Sequence, residues 1–420
     1  MGGTASPFGT PPPAAQNSGF GDWRRNLHVL SIANLLCSVG FSAAWPFLPL
    51  VVRSLGVQDN LETWVGHMML PFYVIGFIVS PIWGGIADHY GRKLMVLRAM
   101  LGMGTMMLIL PFATTPLGFA SLFMLVALFN GFNPAVMTLL AATTPPASMG
   151  RAMSFAQTGT LVGQTLGPAL GALLAATLAH HHWIFWMSGG LLLTGGSLVA
   201  LLVREKHHVP AGAWRLQWMG NLRALLAAPG MRLLYLLGFV FSMLWHGNIP
   251  VITIFTLQLI EASPQAAGGY SEGLWVGAMA VALAASSIIA LTVGGRLLDR
   301  LGAGRVLVFT TAAAAVTHLP LLLLDTPLAL VLSRIAFGLS VATMQPALFR
   351  AIKDVAPAGM EGRAISYAAS FQMIGMGLAP FLAGIIGPLF GLRAYFALTI
   401  LMTLCGLALW LRARRRRQTG

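Results

Sequence analysis

Past a polar opening stretch, the chain alternates long apolar runs with brief polar breaks. The runs fall at about 27–51, 64–87, 94–113, 118–141, 152–178, 183–203, 233–259, 274–298, 306–324, 328–351, 364–387 and 394–411. Each is close to the roughly 20 residues that carry a helix across about 30 Å of hydrocarbon. Lipid offers backbone groups no partners, so the runs are expected to be helices. A membrane barrel would show shorter, strictly alternating segments. The pattern therefore predicts an all-α membrane protein with twelve transmembrane helices.

Composition sharpens this reading. Only 9% of the residues are charged, against about 25% in soluble domains. The net charge of +14 raises nucleic acid as a partner, but the placement of the charges argues against it. Of the 25 Lys and Arg residues, 22 fall on one side of the predicted helices, Arg53 and Arg393 fall on the other, and Arg334 lies inside a helix. By the positive-inside rule both termini are cytoplasmic, and the basic clusters sit beside anionic lipid. The domains expected are a disordered tail at 1–22, a six-helix bundle at 23–203, a cytoplasmic linker at 204–232, a second bundle at 233–411 and a basic tail at 412–420. Cys37 and Cys405 lie in apolar runs and imply no disulfide framework. His180, His181 and His182 are consecutive and cannot easily converge on one ion, so no metal site is expected.

The second bundle repeats the first at an offset of 211–212 residues. Trp64-Val65-Gly66 matches Trp275-Val276-Gly277, Asp88 matches Asp299, and GRAMSFA at 150–156 matches GRAISYA at 362–368. Two pseudo-symmetric halves that rock around a central site near the bilayer midplane are a transporter architecture.

The loop after the second helix reads GGIADHYGRK, with Gly84, Asp88, Gly91, Arg92 and Lys93 in place, and a degraded copy stands at 295–305. This resembles the loop signature of the major facilitator superfamily. The resemblance implies a conformational latch. Gly84 lets helix 2 approach a neighbour, and Asp88 caps the helix that starts at Arg363. By the repeat, Asp299 faces the helix that starts at Arg151. Helix 5 carries Gly159, Gly163, Gly167, Pro168 and Gly171 at spacings that put the glycines on one face. This is similar to the antiporter motif of the drug:proton antiporter branch and implies export. The packing alternative is a generic small-residue face.

Two features depart from that branch. The Arg common in helix 4 is replaced by Leu122 or Phe123, while Arg334 stands at the repeat-related place. No acid lies within the membrane core, so the usual proton carrier is missing. His246, His67 and Arg334 become the candidate proton or substrate groups, because ionisable side chains in a membrane mark function by default. His246 ranks first, beside Gly247 and Pro250, where helix 7 should bend. His318 is set aside because helix 9 is peripheral in this fold. Asn34, Asn130, Asn133, Gln157, Gln164, Asn248, Gln345 and Gln372 are expected to face the cavity, with Trp45, Phe72, Phe132, Trp245 and Phe371 around them.

The function expected is proton-coupled efflux of hydrophobic small molecules by a monomer in the cell (inner or plasma) membrane. The alternatives are export or facilitated passage of one metabolite, such as a sugar or organic acid, and a non-transporting sensor or scaffold. No nucleotide-binding loop and no enzyme site stand out, and no cofactor is expected.

Overall fold

The computed structural model describes residues 22–145, 148–178, 180, 182–205, 218–357 and 360–419. The expected tail at 1–22 lies almost wholly outside them, as do His181 and much of the linker. Twelve spans are long and apolar enough to cross a membrane. In the first half they are α1 Trp23–Ser54, α2 Leu61–Ala87, α3 Arg92–Phe112, α4 Pro116–Thr143, α5 Met149–Thr177 and α6 His182–Leu202. In the second they are α7 Met231–Ala262, α8 Glu272–Thr292, α9 Ala303–Leu322, α10 Pro327–Val355, α11 Glu361–Phe390 and α12 Leu392–Ala413.

The helices run two to four residues beyond most of the expected ends, because helical hydrogen bonding does not stop where hydropathy falls. α2 continues to Tyr90, the helix of α8 to Leu301 and that of α12 to Thr419. The basic stretch after Leu411 is thus helical rather than a tail, and the linker holds a further helix, Trp218–Ala227. Side chains such as Ile78, Phe112, Ile289, Leu332 and Leu389 are each more than half exposed. Outward apolar residues on nearly every span suit lipid contact rather than water.

The repeat is visible in local geometry. Gly91 and Gly302, 211 positions apart, both take positive φ (102° and 76°) at the turn between the second and third helix of each half. Only glycine adopts such a backbone at little cost. Thr115 and Thr326 cap α4 and α10, each hydroxyl accepting from the N–H three residues on, with a proline at the first helical position. Within the halves α1 packs on α5 and α7 packs on α11. Between the halves the contacts are α2 with α11 and α5 with α8.

Candidate functional site

The two ends of the bundle differ. Call the end that carries the chain termini the terminal face and the other the far face. On the far face the halves meet at backbone distance. A Cβ on Gly66 of α2 would lie 2.5 Å from the Pro380 carbonyl oxygen of α11, and one on Gly384 would lie 2.7 Å from that of Glu62. The Thr63 hydroxyl donates to the Gly384 carbonyl at 2.7 Å. Across the second seam, a Cβ on Gly273 of α8 would lie 2.5 Å from the Ala175 side chain, and one on Gly277 would collide with Ala172 of α5. The Thr253 hydroxyl of α7 donates to the Pro46 carbonyl of α1 at 2.8 Å. Arg53, at the end of α1, reaches both Glu261 (2.8 Å) and Glu272 (3.0 Å) of the other half.

On the terminal face the described glycines show no such approach. Nothing lies within 4 Å of where a Cβ would sit on Gly84, Gly150 or Gly362. Among the described residues the glycines of the expected latch make no close approach to the other half. Gly84 makes no close approach, in contrast to the sequence reading. Asp299 does not pair with Arg151; it pairs with Arg350 of its own half at 3.0 Å. Arg151 and Arg363 are exposed, and the Asp88 side chain lies outside the described residues.

The basic end of the loop works within its own half. The backbone N–H groups of Arg92 and Lys93 donate to the two Glu205 oxygens at 3.0 and 2.8 Å. The Lys93 ammonium donates to the Ala200 and Val203 carbonyls, both at 2.8 Å. A carboxylate thus caps the start of α3 and a cation caps the end of α6, each matching the helix dipole it meets.

The glycine stripe of α5 is also an intra-half seam. Cβ atoms at Gly163, Gly167 and Gly171 would lie 2.8, 2.4 and 2.7 Å from the carbonyls of Leu35, Val39 and Ala43 on α1, and Gly159 sits over Ser31. Pro168 is carried inside an unbroken helix.

Half of the eight polar residues expected to line a cavity instead tie helices together. Asn34 is fully buried and donates to the Thr160 hydroxyl at 2.6 Å. Gln345 and Gln372 exchange two amide hydrogen bonds at 3.1 Å. Asn130 accepts from the Gly131 N–H, and Asn133 keeps a buried, unpartnered oxygen. Gln157 and Gln164 remain exposed, two turns apart on α5. Trp45, Phe72 and Phe132 are buried core, and Phe72 stacks on Phe123 at 4.7 Å. Trp245 and Phe371 are half-buried, Trp245 beside Phe337 and Phe371 stacked on Tyr235.

Residues 30–284 and 234–420 of the chain match a model of the "Major Facilitator Superfamily". The chain belongs to the major facilitator superfamily. It is 30% identical over 387 residues to the "Multidrug resistance protein MdtG" of Serratia proteamaculans (strain 568), covering 91% of this chain and 92% of that protein. The protein of that name from Rahnella sp. (strain Y9602) is 30% identical over 402 residues, covering 94% and 96%. Among solved structures the nucleoside transporter NupG superposes with a TM-score of 0.75 at 13% identity, over 92% of this chain and 98% of that one. That likeness speaks to the fold alone. As a member of this superfamily the protein is a transporter of twelve helices in two six-helix bundles.

Within this superfamily frame, α7 is loosened at Gly247 and just before Pro250 rather than regular throughout. Met243–Gly247 forms a π turn, a local loosening often found at functional positions. His246 lies in it, half-buried, with its Nδ1 buried and unpartnered. His67 sits on the α2–α11 seam, exposed, with Nδ1 against the Thr63 carbonyl at 2.7 Å and its ring against Phe381. The reading of His318 is corrected. Although α9 is peripheral, this side chain points inward and is fully buried, with Phe337 at 4.4 Å and Asn248 at 3.4 Å. Sequence reasoning also missed Arg53, Glu261 and Glu272 as a unit. The signal available was that Arg53 is one of only two cations on the far face, a side that carries five acids.

Proposed function

We propose that this protein exports hydrophobic small molecules of the multidrug type by alternating access driven by proton antiport. The observation that carries the reading is the asymmetry of the inter-half seams, packed at backbone distance on the far face and, among the described residues, without such glycine contacts on the terminal face. A pump of rocking halves must occupy such a state to load from one side only. The names of the relatives support efflux of several compounds over export of one metabolite. The terminal face is assigned to the cytoplasm from the distribution of Lys and Arg, which makes this the inward-open state. The protein works as a monomer in the cell (inner or plasma) membrane, in contact with anionic lipid.

Reporters fused at Gln265 and at Gly212, the latter outside the described residues, should read external and cytoplasmic respectively. A sensitivity panel of dyes, antibiotics and organic acids, comparing cells with and without the protein, tests export itself. Resistance to structurally unrelated compounds is expected, and protection against a single metabolite favours the metabolite exporter.

His246 is the proposed proton carrier. It stands on a loosened turn at mid-helix, and imidazole is the side chain that titrates near neutral pH. In vesicles with an imposed pH gradient, His246→Gln should lose about tenfold in uphill accumulation while retaining substrate exchange. Native pH dependence in that variant would move the role to the surface carboxylates.

A further inference from the structure

The second half holds a closed chain of buried polar groups. The Tyr395 hydroxyl of α12 donates to Asn248 Oδ1 at 2.5 Å. Asn248 Nδ2, on α7 just after the π turn, meets His318 Nε2 at 3.4 Å. His318 Nδ1 lies 3.0 Å from the Ala314 carbonyl. A carbonyl only accepts, so Nδ1 carries the proton and Nε2 is the acceptor that Asn248 fills. The group thus holds three neutral side chains and no carboxylate.

Arg334 stands against this group and receives nothing from it. Its guanidinium lies over the Phe337 ring at 5.1 Å, whose edge meets His318. The residue is 3% exposed, and its Nε and Nη2 are buried with no acceptor. No acid is available, because all eleven stand at span ends or between spans. A buried charge without a counter-charge is costly, and a guanidinium offers a planar fork suited to a carboxylate.

The fold does not require these groups. Subtracting the 211-residue offset places Arg334 on Phe123, His318 on Met107 and Tyr395 on Ile184, and aligning Pro250 with Pro46 places Asn248 on Ala44. All four counterparts are apolar and at most 2% exposed. The first half thus builds the same interior from hydrocarbon alone.

We infer that Arg334 is a binding site for the carboxylate of an amphiphilic organic anion, held between α7, α9 and α10. The inference rests on the export reading and names one substrate class for it. Because the guanidinium is enclosed here, the anion enters when α7 swings at Met243–Gly247. Asn248, five residues or fewer beyond each position of that turn, moves with it and opens the wall of the site.

The test is made on full-length protein in detergent, with an aryl-alkyl carboxylate and its carboxamide as probes. Native protein should bind the carboxylate about tenfold or more tighter, the range of a charge-assisted pair. Arg334→Met should abolish the preference and still bind the carboxamide, and Arg334→Lys should keep part of it. Without ligand, Arg334→Met should melt at or above the native temperature, because an unpaired buried charge has been removed; a merely structural guanidinium gives a lower one. Equal binding of the two probes by native protein overturns the proposal even if Arg334→Met fails to fold. So does a preference that survives in Arg334→Met, or a chloride stabilisation that equals the carboxylate's and vanishes in that variant. Dye efflux with no carboxylate preference counts against the anion site alone, whereas a carboxylate preference with no efflux counts against the export reading alone.

Discussion

The far and terminal faces are built from the same repeat, yet they are held by different physics. On the far face the helices touch through glycines, alanines and backbone carbonyls. Gly66 and Gly277 come from the two copies of the Trp-Val-Gly motif, and each packs the start of its helix on the opposite half. Such contacts are short-ranged and independent of salt, and each atom pair adds only about 0.1–0.2 kcal/mol. On the terminal face the features the loop carries are charges, and among the described residues several pair within halves: Lys93 on α6, Glu205 on α3, Asp299 on Arg350. A rocking transporter needs both ends to open. Dispersion seals one end until a wedge parts it, while electrostatics leaves the other end free to exchange partners.

The hardest way to break this asymmetry is a wedge in the far seam. Gly66→Leu places a branched side chain where a Cβ alone would already be 2.5 Å from the Pro380 oxygen. Overpacking of this kind costs about 1–3 kcal/mol or more, enough to shift an equilibrium by tenfold or beyond. Ala172 lies on the other far seam, against Gly277, and is 8% exposed. In a background lacking Cys37 and Cys405, Ala172→Cys should label at least about tenfold faster when Gly66→Leu is added, because the halves part as rigid bodies. Unchanged labelling would show that the two seams open separately.

Asp88→Asn acts on the opposite face and should act in the opposite sense. If Asp88 caps a helix of the other half only when the terminal face closes, its loss removes about 0.3–2 kcal/mol from that state alone. Transport should fall roughly threefold to tenfold at normal insertion, and Ala172→Cys should become less reactive. Normal transport at normal expression would remove the latch from the mechanism.

Much of this was legible in the sequence. Twelve spans, the halves and the turn glycines follow from hydropathy and the repeat, because each helix must bury one face and each tight turn needs its glycine. The irregular turn in α7 lies beside Gly247 and Pro250, where the sequence marked a break. What stayed hidden depends on contacts between distant segments or on conformation. The Trp-Val-Gly doubling was visible, but its role needs α11 and α5 in place. Gln345 and Gln372 read as cavity lining because nothing local says that their amides pair with each other. His318 was discounted from the position of its helix, whereas its register decides: it falls on buried Met107 of the first half. The latch was legible as a motif, and the Asp88 side chain that would close it lies outside the described residues.

The finest test of the comparison is the ion cluster, the salt-bridged element of the far seam among the described residues. Arg53 bridges Glu261 and Glu272, with side-chain exposures of 29%, 58% and 36%. Exposed pairs of this kind are worth about 0.2–1 kcal/mol each, so the cluster trims the equilibrium rather than setting it. Arg53→Gln should raise labelling of Ala172→Cys by about twofold to fivefold, well below the Gly66→Leu effect. Glu272→Gln alone should give a smaller part of this change, since Glu261 keeps its bond. The native rate should also rise with ionic strength, because salt screens partly exposed charges, and Arg53→Gln should lose that dependence. Adding Glu272→Gln to Arg53→Gln should then change little, as expected for residues that act through each other. A native labelling rate insensitive to salt would make the far seam wholly apolar in its energetics, and the Arg53 cluster a consequence of closure instead of a contributor to it.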